Sequence, residues 1–377
     1  MNKQWEKWSK EDIRSFQDKF LNWYHDEKRN LPWRATNDPY AIWISEIMLQ
    51  QTRVDTVIGY YYRFMEQFPT IKDLAGAEEQ KLLKAWEGLG YYSRARNLKA
   101  AAQQIMAEFD GEMPQTITDI RSLKGIGPYT AGAIGSIAFG LPEPAIDGNV
   151  MRVVSRLFCI EADIAKASSR GVFDEAMRTI ISHDEPGEFN QALMDLGSSI
   201  CTPTSPLCEE CPLQEYCLAY QQGTQTDFPV KSKKAKPKDV YYIAGAIEED
   251  GRFLLVQRPE TGLLAKMWHF PLLEVDQATY TQLLAYWQDQ QLTLDAVAEE
   301  PAPIFPEFPV VWQKRHLGEV THIFSHLKWH ILLFYGRTPS EFSLEHSQWA
   351  APEEFEQYVF PKPQLKLVEQ LKKNHKY

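Results

Sequence analysis

The sequence predicts two domains in series, an all-α half over residues 1–220 and an α+β half over residues 240–377, joined by a linker at 221–239. Three observations carry this expectation. The 377 residues exceed what a single ordinary core organises. Apolar residues recur at helical spacing through residues 11–220, whereas strand-like alternation begins only after the linker. Four of the five cysteines fall within the seventeen residues 201–217, at the end of the helical half.

From the N-terminus, the stretch 41–68 places Ile44, Ile47, Met48 and Val54 at helical spacing behind Pro39. Further helical patterns cover roughly 78–87, 93–109, 116–123, 128–139, 148–158, 171–183 and 188–199, separated by Gly, Pro and Asp. Residues 221–239 are polar, lysine-rich and almost free of aliphatics, as a solvated linker is. Beyond them, 241–248, 252–257, 320–324 and 327–335 read as strands, with a helix around 276–289 and a last one near 362–373.

Composition narrows the function classes. A hydrophobic content of 44% with 12% aromatics suits a globular chain and argues against wholesale disorder. No apolar run reaches transmembrane length, and the first residues lack the apolar core of a signal peptide, so a cytoplasmic protein without a membrane partner is expected. The net charge of −11 argues against nucleic-acid binding unless positive charge or oriented dipoles are concentrated locally. Residues 231–240, with five Lys and one Asp, are one such concentration.

The spacing Cys201-x6-Cys208-x2-Cys211-x5-Cys217 does not suit a secreted disulfide framework. Four thiolates converging in one loop repel one another unless a cation holds them, so metal or cluster ligation is expected. Zinc ribbons pair two C-x-x-C knuckles and only one is present, which favours iron–sulfur while leaving zinc open on spacing alone. Cys159, in the mostly apolar run 153–160, reads as a small buried hydrophobe.

Two further segments carry chemistry. In Leu123-Lys124-Gly125-Ile126-Gly127-Pro128-Tyr129-Thr130-Ala131-Gly132, two glycines between helical patterns allow a tight turn with outward N–H groups, and Pro128 opens the next helix. That geometry makes an anion site from backbone alone, although an ordinary αα-turn uses glycine equally well. In Pro144-Ala145-Ile146-Asp147-Gly148-Asn149-Val150-Met151-Arg152, Asp147 stands where a helix N-cap belongs. Glu46 lies among Trp43, Ile44, Ile47 and Met48, where a buried carboxyl has a raised pKa and a solvent-facing one does not. A carboxyl at a helix N-cap stays ionised while one in apolar surroundings holds its proton, so the two are candidates for acid–base chemistry.

The cysteine spacing, the L-x-G-I-G-x-x-T-A turn and the I-D-x-N-V-x-R segment resemble the helix-hairpin-helix glycosylases of the endonuclease III family, in which the loop holds a structural 4Fe–4S cluster. Leu31-Pro32-Trp33-Arg34, Trp43–Arg53 and Gly88-Leu89-Gly90-Tyr91-Tyr92-Ser93-Arg94-Ala95-Arg96 narrow the resemblance to the A/G-specific adenine glycosylases, called MutY, over most of residues 15–220. The resemblance implies double-stranded DNA containing A:8-oxoguanine or A:G mispairs as the partner, a monomeric enzyme, and association with the nucleoid through DNA. It implies Glu46, Asp147, Tyr129 and Asn149 as catalytic, and Trp33, Arg34, Leu49 and Gln191 as the adenine pocket. It places Gln51, Thr52, Tyr91, Gly125 and Gly127 at the DNA and the oxidised guanine. Bifunctional relatives carry a Schiff-base lysine where this chain has Tyr129, so hydrolysis without β-elimination is expected. The segment between the first two cluster cysteines is basic in relatives and here holds no positive charge, which shifts the expected phosphate contacts to the hairpin, Arg94, Arg96 and the lysine-rich linker.

Leu254-Leu255-Val256-Gln257-Arg258-Pro259 and Trp268-His269-Phe270-Pro271 resemble the Nudix-like domain that adenine glycosylases append. The magnesium-binding R-E-x-x-E-E helix is missing after Phe270, so the resemblance implies an 8-oxoguanine reader and not a pyrophosphatase. Ser325 is then expected to bond the oxidised guanine, with Phe324 and His326 flanking it; a plain hairpin turn is the other reading. Competing functions are a bifunctional thymine-glycol lyase, a non-catalytic iron–sulfur DNA-binding regulator and a Nudix hydrolase.

Overall fold

The computed structural model describes residues 3–233, 235–285, 305, 308–313 and 315–376. They fall into two compact units that do not follow chain order: 1–78 with 93–233, and 79–92 with 234–377.

The first unit is helical. Its helices are α1 (Lys10–Glu27), α2 (Pro39–Leu49), α3 (Val54–Gln67) and α4 (Ile71–Gly76); the segment that belongs to the other unit contributes α5 (Glu79–Ala85). The first unit resumes with α6 (Ser93–Glu108), α7 (Ile117–Ser122), α8 (Pro128–Phe139), α9 (Gly148–Phe158), α10 (Arg170–Ile180), α11 (Pro186–Ser199) and the short α12 (Leu218–Gln221). A capping box starts α1: Asp12 N–H donates to Ser9 Oγ at 3.1 Å while Ser9 N–H donates to the Asp12 carboxylate at 2.8 Å. The apolar stripe of α1 (Phe16, Phe20, Tyr24) closes onto α9, α10 and α11 through Val153, Val154, Phe173, Met177, Phe189 and Leu193. By contrast α2 is apolar on every face, and each residue from Tyr40 to Met48 is buried. It is therefore a central helix, and a carboxyl placed on it has no solvent side.

The helical pattern expected over 41–68 divides into α2 and α3. The break comes at Gln51, a non-glycine residue at φ 58°. The last carbonyls of α2 are taken by a side chain, since Arg94 Nη1 donates to Ile47 O, Met48 O and Gln50 O at 2.7, 3.2 and 2.8 Å. Arg94 is thus a buried helix cap, which corrects its expected use on DNA phosphate: its guanidinium is spent inside the fold.

Residues 221–233, expected as solvated linker, are fastened to the helical unit. Ile164 N–H donates to Val230 O at 3.0 Å, Arg156 Nε to Phe228 O at 3.0 Å, and Ser232 N–H to Asp163 Oδ1 at 3.1 Å. Backbone bonding, invisible to composition, explains the difference.

Among the described residues the second unit is built on one eight-stranded sheet: β1 (Lys238–Glu249), β2 (Arg252–Gln257), β3 (Trp268–His269), β4 (Leu272–Val275), β5 (Val311–Trp312), β6 (Gly318–Ile323), β7 (Leu327–Arg337) and β8 (Ser347–Ala350). β1 and β7 run parallel at its centre, from Lys238 opposite Leu327 to Glu248 opposite Arg337. β2 and β4 pair antiparallel with β1, β5 and β6 with β7, and β3 and β8 with β2. α13 (Gln277–Ala285) and α14 (Lys362–Lys373) complete it; residues 286–289 of the expected helix lie outside the described residues. Leu367 and Leu371 of α14 pack with Ile331, Leu333 and Phe270 in its core. Residues 79–92 join this unit through side chains: Lys266 Nζ meets Glu79 Oε2 at 3.0 Å, Lys84 Nζ donates to Tyr358 O at 3.1 Å, and Phe360 N–H to Glu87 Oε1 at 2.8 Å. Among the described residues no helix is long and apolar enough to cross a membrane.

Candidate active site

Three elements of the helical unit converge on one pair of carboxyls. α2 delivers Glu46, 5% exposed, and α8 delivers Tyr129, whose hydroxyl donates to Glu46 Oε2 at 2.7 Å. Asp147 caps α9: its Oδ1 accepts from Val150 N–H at 2.7 Å and its Oδ2 from Asn149 Nδ2 at 3.1 Å. Burial pushes the Glu46 carboxyl up to about 7; the Tyr129 hydrogen bond and the Arg34 cation oppose this, and the Asp147 charge adds to it. Burial also raises Asp147, against the hydrogen bonds of Val150 and Asn149 and the Arg152 charge. Two neighbouring carboxyls in unlike surroundings, one titrating close to neutrality and one held by a helix N-terminus, suit paired proton donation and cation stabilisation.

Close packing of the backbone makes this convergence possible. A Cβ on Gly132 would lie 2.1 Å from Pro144 O, and one on Gly197 2.7 Å from Asn149 Cβ, so α8 and α11 reach the cap only through glycine. Asn190, fully buried on α11, holds the segment ahead of Asp147. It accepts from Ala145 N–H at 3.1 Å and donates to Glu143 O and Ser136 Oγ at 2.9 Å each.

α9 also leads from the cap to the cysteine loop. Arg152 donates to Asn149 Oδ1 at 2.9 Å, Gly197 O at 2.6 Å and Cys201 O at 2.8 Å. One turn on, the buried Arg156 donates to Thr202 O at 2.7 Å, Pro203 O at 3.0 Å and Cys201 Sγ at 3.2 Å. Cys201, Cys208, Cys211 and Cys217 line a single cavity with Arg156 and Ile200. Burial pushes the Cys211 thiol up to about 12 and the Cys217 thiol up to about 11, so these groups become thiolates only against a cationic centre. The residues present therefore fit a 4Fe–4S cluster.

The other expected residues distribute unevenly. Trp33 is buried edge-on to Tyr61 at 5.5 Å. Arg34 forms a two-pronged ion pair with Asp195, Nη1 to Oδ2 at 2.7 Å and Nη2 to Oδ1 at 3.0 Å, over the Tyr24 ring. Its Nε is buried without a partner in the described protein. Leu49 and Gln191 are half-buried, and Gln191 stands one turn before Asp195 on α11. Gln51 is exposed at the strained corner after α2, followed by half-buried Thr52. In the α7–α8 turn Gly125 takes φ 77°, and Gly127 caps α8 ahead of Pro128; both are exposed.

Tyr91, Phe324, Ser325 and His326 belong to the second unit. Tyr91, at φ 47°, is 48% exposed. Residues 324–326 form the β6–β7 turn, closed by Phe324 N–H to Leu327 O at 2.7 Å. Phe324 packs inward, edge-on to Trp329 at 4.9 Å, while Ser325 and His326 are exposed and paired, Oγ to Nδ1 at 3.1 Å. Sequence reasoning missed Asn190, Arg156 and Asp195. Arg152 alone carried a signal, three residues after Asn149 and so on the same helix face.

Known families match along the chain. HhH-GPD superfamily base excision DNA repair proteins match residues 44–177, the iron–sulfur binding domain of endonuclease III matches 201–217, and the NUDIX domain matches 242–370. The adenine DNA glycosylase of Rattus norvegicus is 37% identical over 91% of this chain and 75% of its own length. That of Buchnera aphidicola subsp. Acyrthosiphon pisum is 32% identical over 94% of this chain and 97% of its own. Among solved structures, a thermostable thymine-DNA glycosylase matches 56% of this chain and 97% of its own, with 28% identity and a TM-score of 0.50.

Proposed function

Because the chain belongs to the adenine DNA glycosylases, we propose that its substrate is adenine mispaired with 8-oxoguanine or guanine in duplex DNA. It is a base excision repair glycosylase that removes adenine and holds a 4Fe–4S cluster. The observation that carries the mechanism is the buried Glu46 carboxyl, up to about 7 and bonded to Tyr129, beside the Asp147 cap.

In this reading the adenine is flipped from the duplex into a pocket lined by Trp33, Arg34, Leu49 and Gln191. Glu46 gives its proton to adenine N7, the C1′–N9 bond breaks, and the bonding pair leaves with the base. Asp147, kept anionic by Asn149 and the α9 N-terminus, faces the sugar cation until water adds. Tyr129 holds Glu46 in place. Gly125 and Gly127 offer backbone N–H groups to a phosphate, and Gln51, Thr52 and Tyr91 meet the stack around the orphaned guanine. The enzyme acts as a monomer, associated with the nucleoid through DNA. The cluster sits outside the chemistry and organises the loop beside α9.

Single-turnover excision from duplexes with A opposite 8-oxoguanine, G or T tests the mispair assignment: the first two are expected to react, the first fastest, and equal rates on all three would refute it. The reader role of the exposed Ser325–His326 turn predicts that replacing both by Ala narrows the 8-oxoguanine-over-guanine preference about tenfold, the equivalent of one lost hydrogen bond to a base. An unchanged ratio returns that turn to a plain hairpin. With Tyr129 in place of an amine, borohydride during turnover is expected to trap no enzyme–DNA adduct beyond background; an adduct formed at the excision rate would make the enzyme a lyase.

A further inference from the structure

We propose that Arg170 is a positioning residue for this reaction: it holds the peptide plane immediately ahead of Asp147 and so sets how closely that carboxylate faces the sugar. The inference rests on the reading of Asp147 as the sugar-side carboxylate. It adds a residue from α10, a helix that supplies none of the groups assigned to the chemistry.

Asp147 stands at the end of a stretch that has no ladder of its own. Residues 141–147 belong to neither helix nor strand, so their backbone groups are taken up by what packs around them. Asn190 of α11 bonds Glu143 O at 2.9 Å and Ala145 N–H at 3.1 Å, as one residue of a neighbouring parallel strand would. Pro144 has no N–H, and its carbonyl lies against Gly132 of α8. Arg170, half-buried at the start of α10, then donates from Nη2 to Ile146 O at 2.9 Å.

A peptide is planar, so a fixed Ile146 carbonyl also fixes the Asp147 nitrogen and Cα. From there the chain runs extended, φ −104° and ψ −172°, into α9. Val150 N–H and Asn149 Nδ2 orient the carboxylate itself, but both belong to α9 and move with it. Arg170 ties the backbone of the cap to a different helix, at the last peptide before the carboxylate. Stabilising a cation is steep in distance, and a misplacement of about 1 Å is worth about a hundredfold in rate. An arginine that only pinned α10 to the core would change stability and leave the reach of Asp147 alone, which separates the two roles.

The test compares two uncleavable duplexes on the full cluster-containing chain, each with 8-oxoguanine opposite an altered sugar. One carries a neutral tetrahydrofuran abasic site, the other a protonated pyrrolidine whose charge stands where the sugar cation forms. In R170M the affinity for the cationic duplex is expected to fall about tenfold or more, while that for the neutral duplex stays within about twofold. Single-turnover adenine excision is expected to slow about thirty- to a hundredfold. Because the loss runs through Asp147, R170M/D147N is expected to bind the cationic duplex no more weakly than D147N. Equal losses on both duplexes, an excision rate near wild type, or a further loss in the double variant overturns the proposal. Should R170M lose its cluster colour or its cooperative melt, R170Q, whose shorter side chain falls short of Ile146 O, is held to the same outcomes. D147N separates the two claims. If it keeps the preference for the cationic duplex the sugar-side reading fails, whereas a D147N that loses the preference beside an R170M that keeps it defeats only the role of Arg170.

Discussion

Glu46→Gln is expected to lower single-turnover adenine excision by about a thousandfold or more, the upper part of the range for losing a general acid. The substitution is close to isosteric, and its amide oxygen still accepts from the Tyr129 hydroxyl. Folding stability therefore stays near wild type: Glu46 is buried and titrates at about 7, so the neutral amide only relieves the site of a partly ionised buried carboxyl. The wild-type rate carries a second signature. A proton donor at about 7 is loaded below that pH and emptied above it, so excision is expected to fall as pH rises through 7. The variant loses this alkaline limb together with its rate. Excision and duplex binding followed from pH 5.5 to 9 check both at once. A variant that keeps either the rate or the limb would move the proton donor elsewhere.

The second large effect is expected far from the carboxyls. Arg156→Met removes a guanidinium, 2% exposed, that donates to Phe228 O, Thr202 O, Pro203 O and Cys201 Sγ. Methionine fills much of the space but leaves the carbonyls of half-buried Thr202 and Phe228 and of exposed Pro203 without their donor. Breaking such a network costs about 3–5 kcal/mol. The loss falls on the loop that carries the cysteines, so the visible thiolate-to-iron absorbance is expected to bleach within hours in a chelator that leaves wild type coloured, alongside a lower melting temperature. Retained colour and an unshifted melt would make Arg156 dispensable. Excision is expected to fall with the colour, because Arg152, one turn earlier, ties Cys201 O to Asn149 and so to Asp147.

What could be read from the sequence was whatever depends on local spacing. The two helices flanking Gly125 and Gly127, the cap at Asp147 and the four-cysteine loop are properties of a few consecutive residues, and the structure holds them within one or two residues of the expected bounds. Glu46 was legible as a carboxyl in apolar company, but whether it faced solvent depended on α2 being surrounded on all sides, which no periodicity within α2 reveals. The break at Gln51 is enforced by Arg94, more than forty residues later. The same holds for Asn190 and Asp195, ordinary polar residues on a helix until Ala145 and Arg34 arrive as partners. Residues 79–92 were read with the helical half because they are helical; their company is decided by Lys266, Tyr358 and Phe360.

That last segment has a consequence for how such a protein can be taken apart. The chain passes between its two units three times, so covalent order and spatial membership disagree. A single cut anywhere in 221–239 therefore cannot yield two intact pieces: the front fragment keeps residues 79–92 and loses Lys266, the Tyr358 carbonyl and the Phe360 amide that they engage. The same holds for genetic exchange, in which one crossover would import a sheet made for a different segment. Two breakpoints flanking 79–92 and a third before β1 would have to move together, so the halves are heritable as one piece.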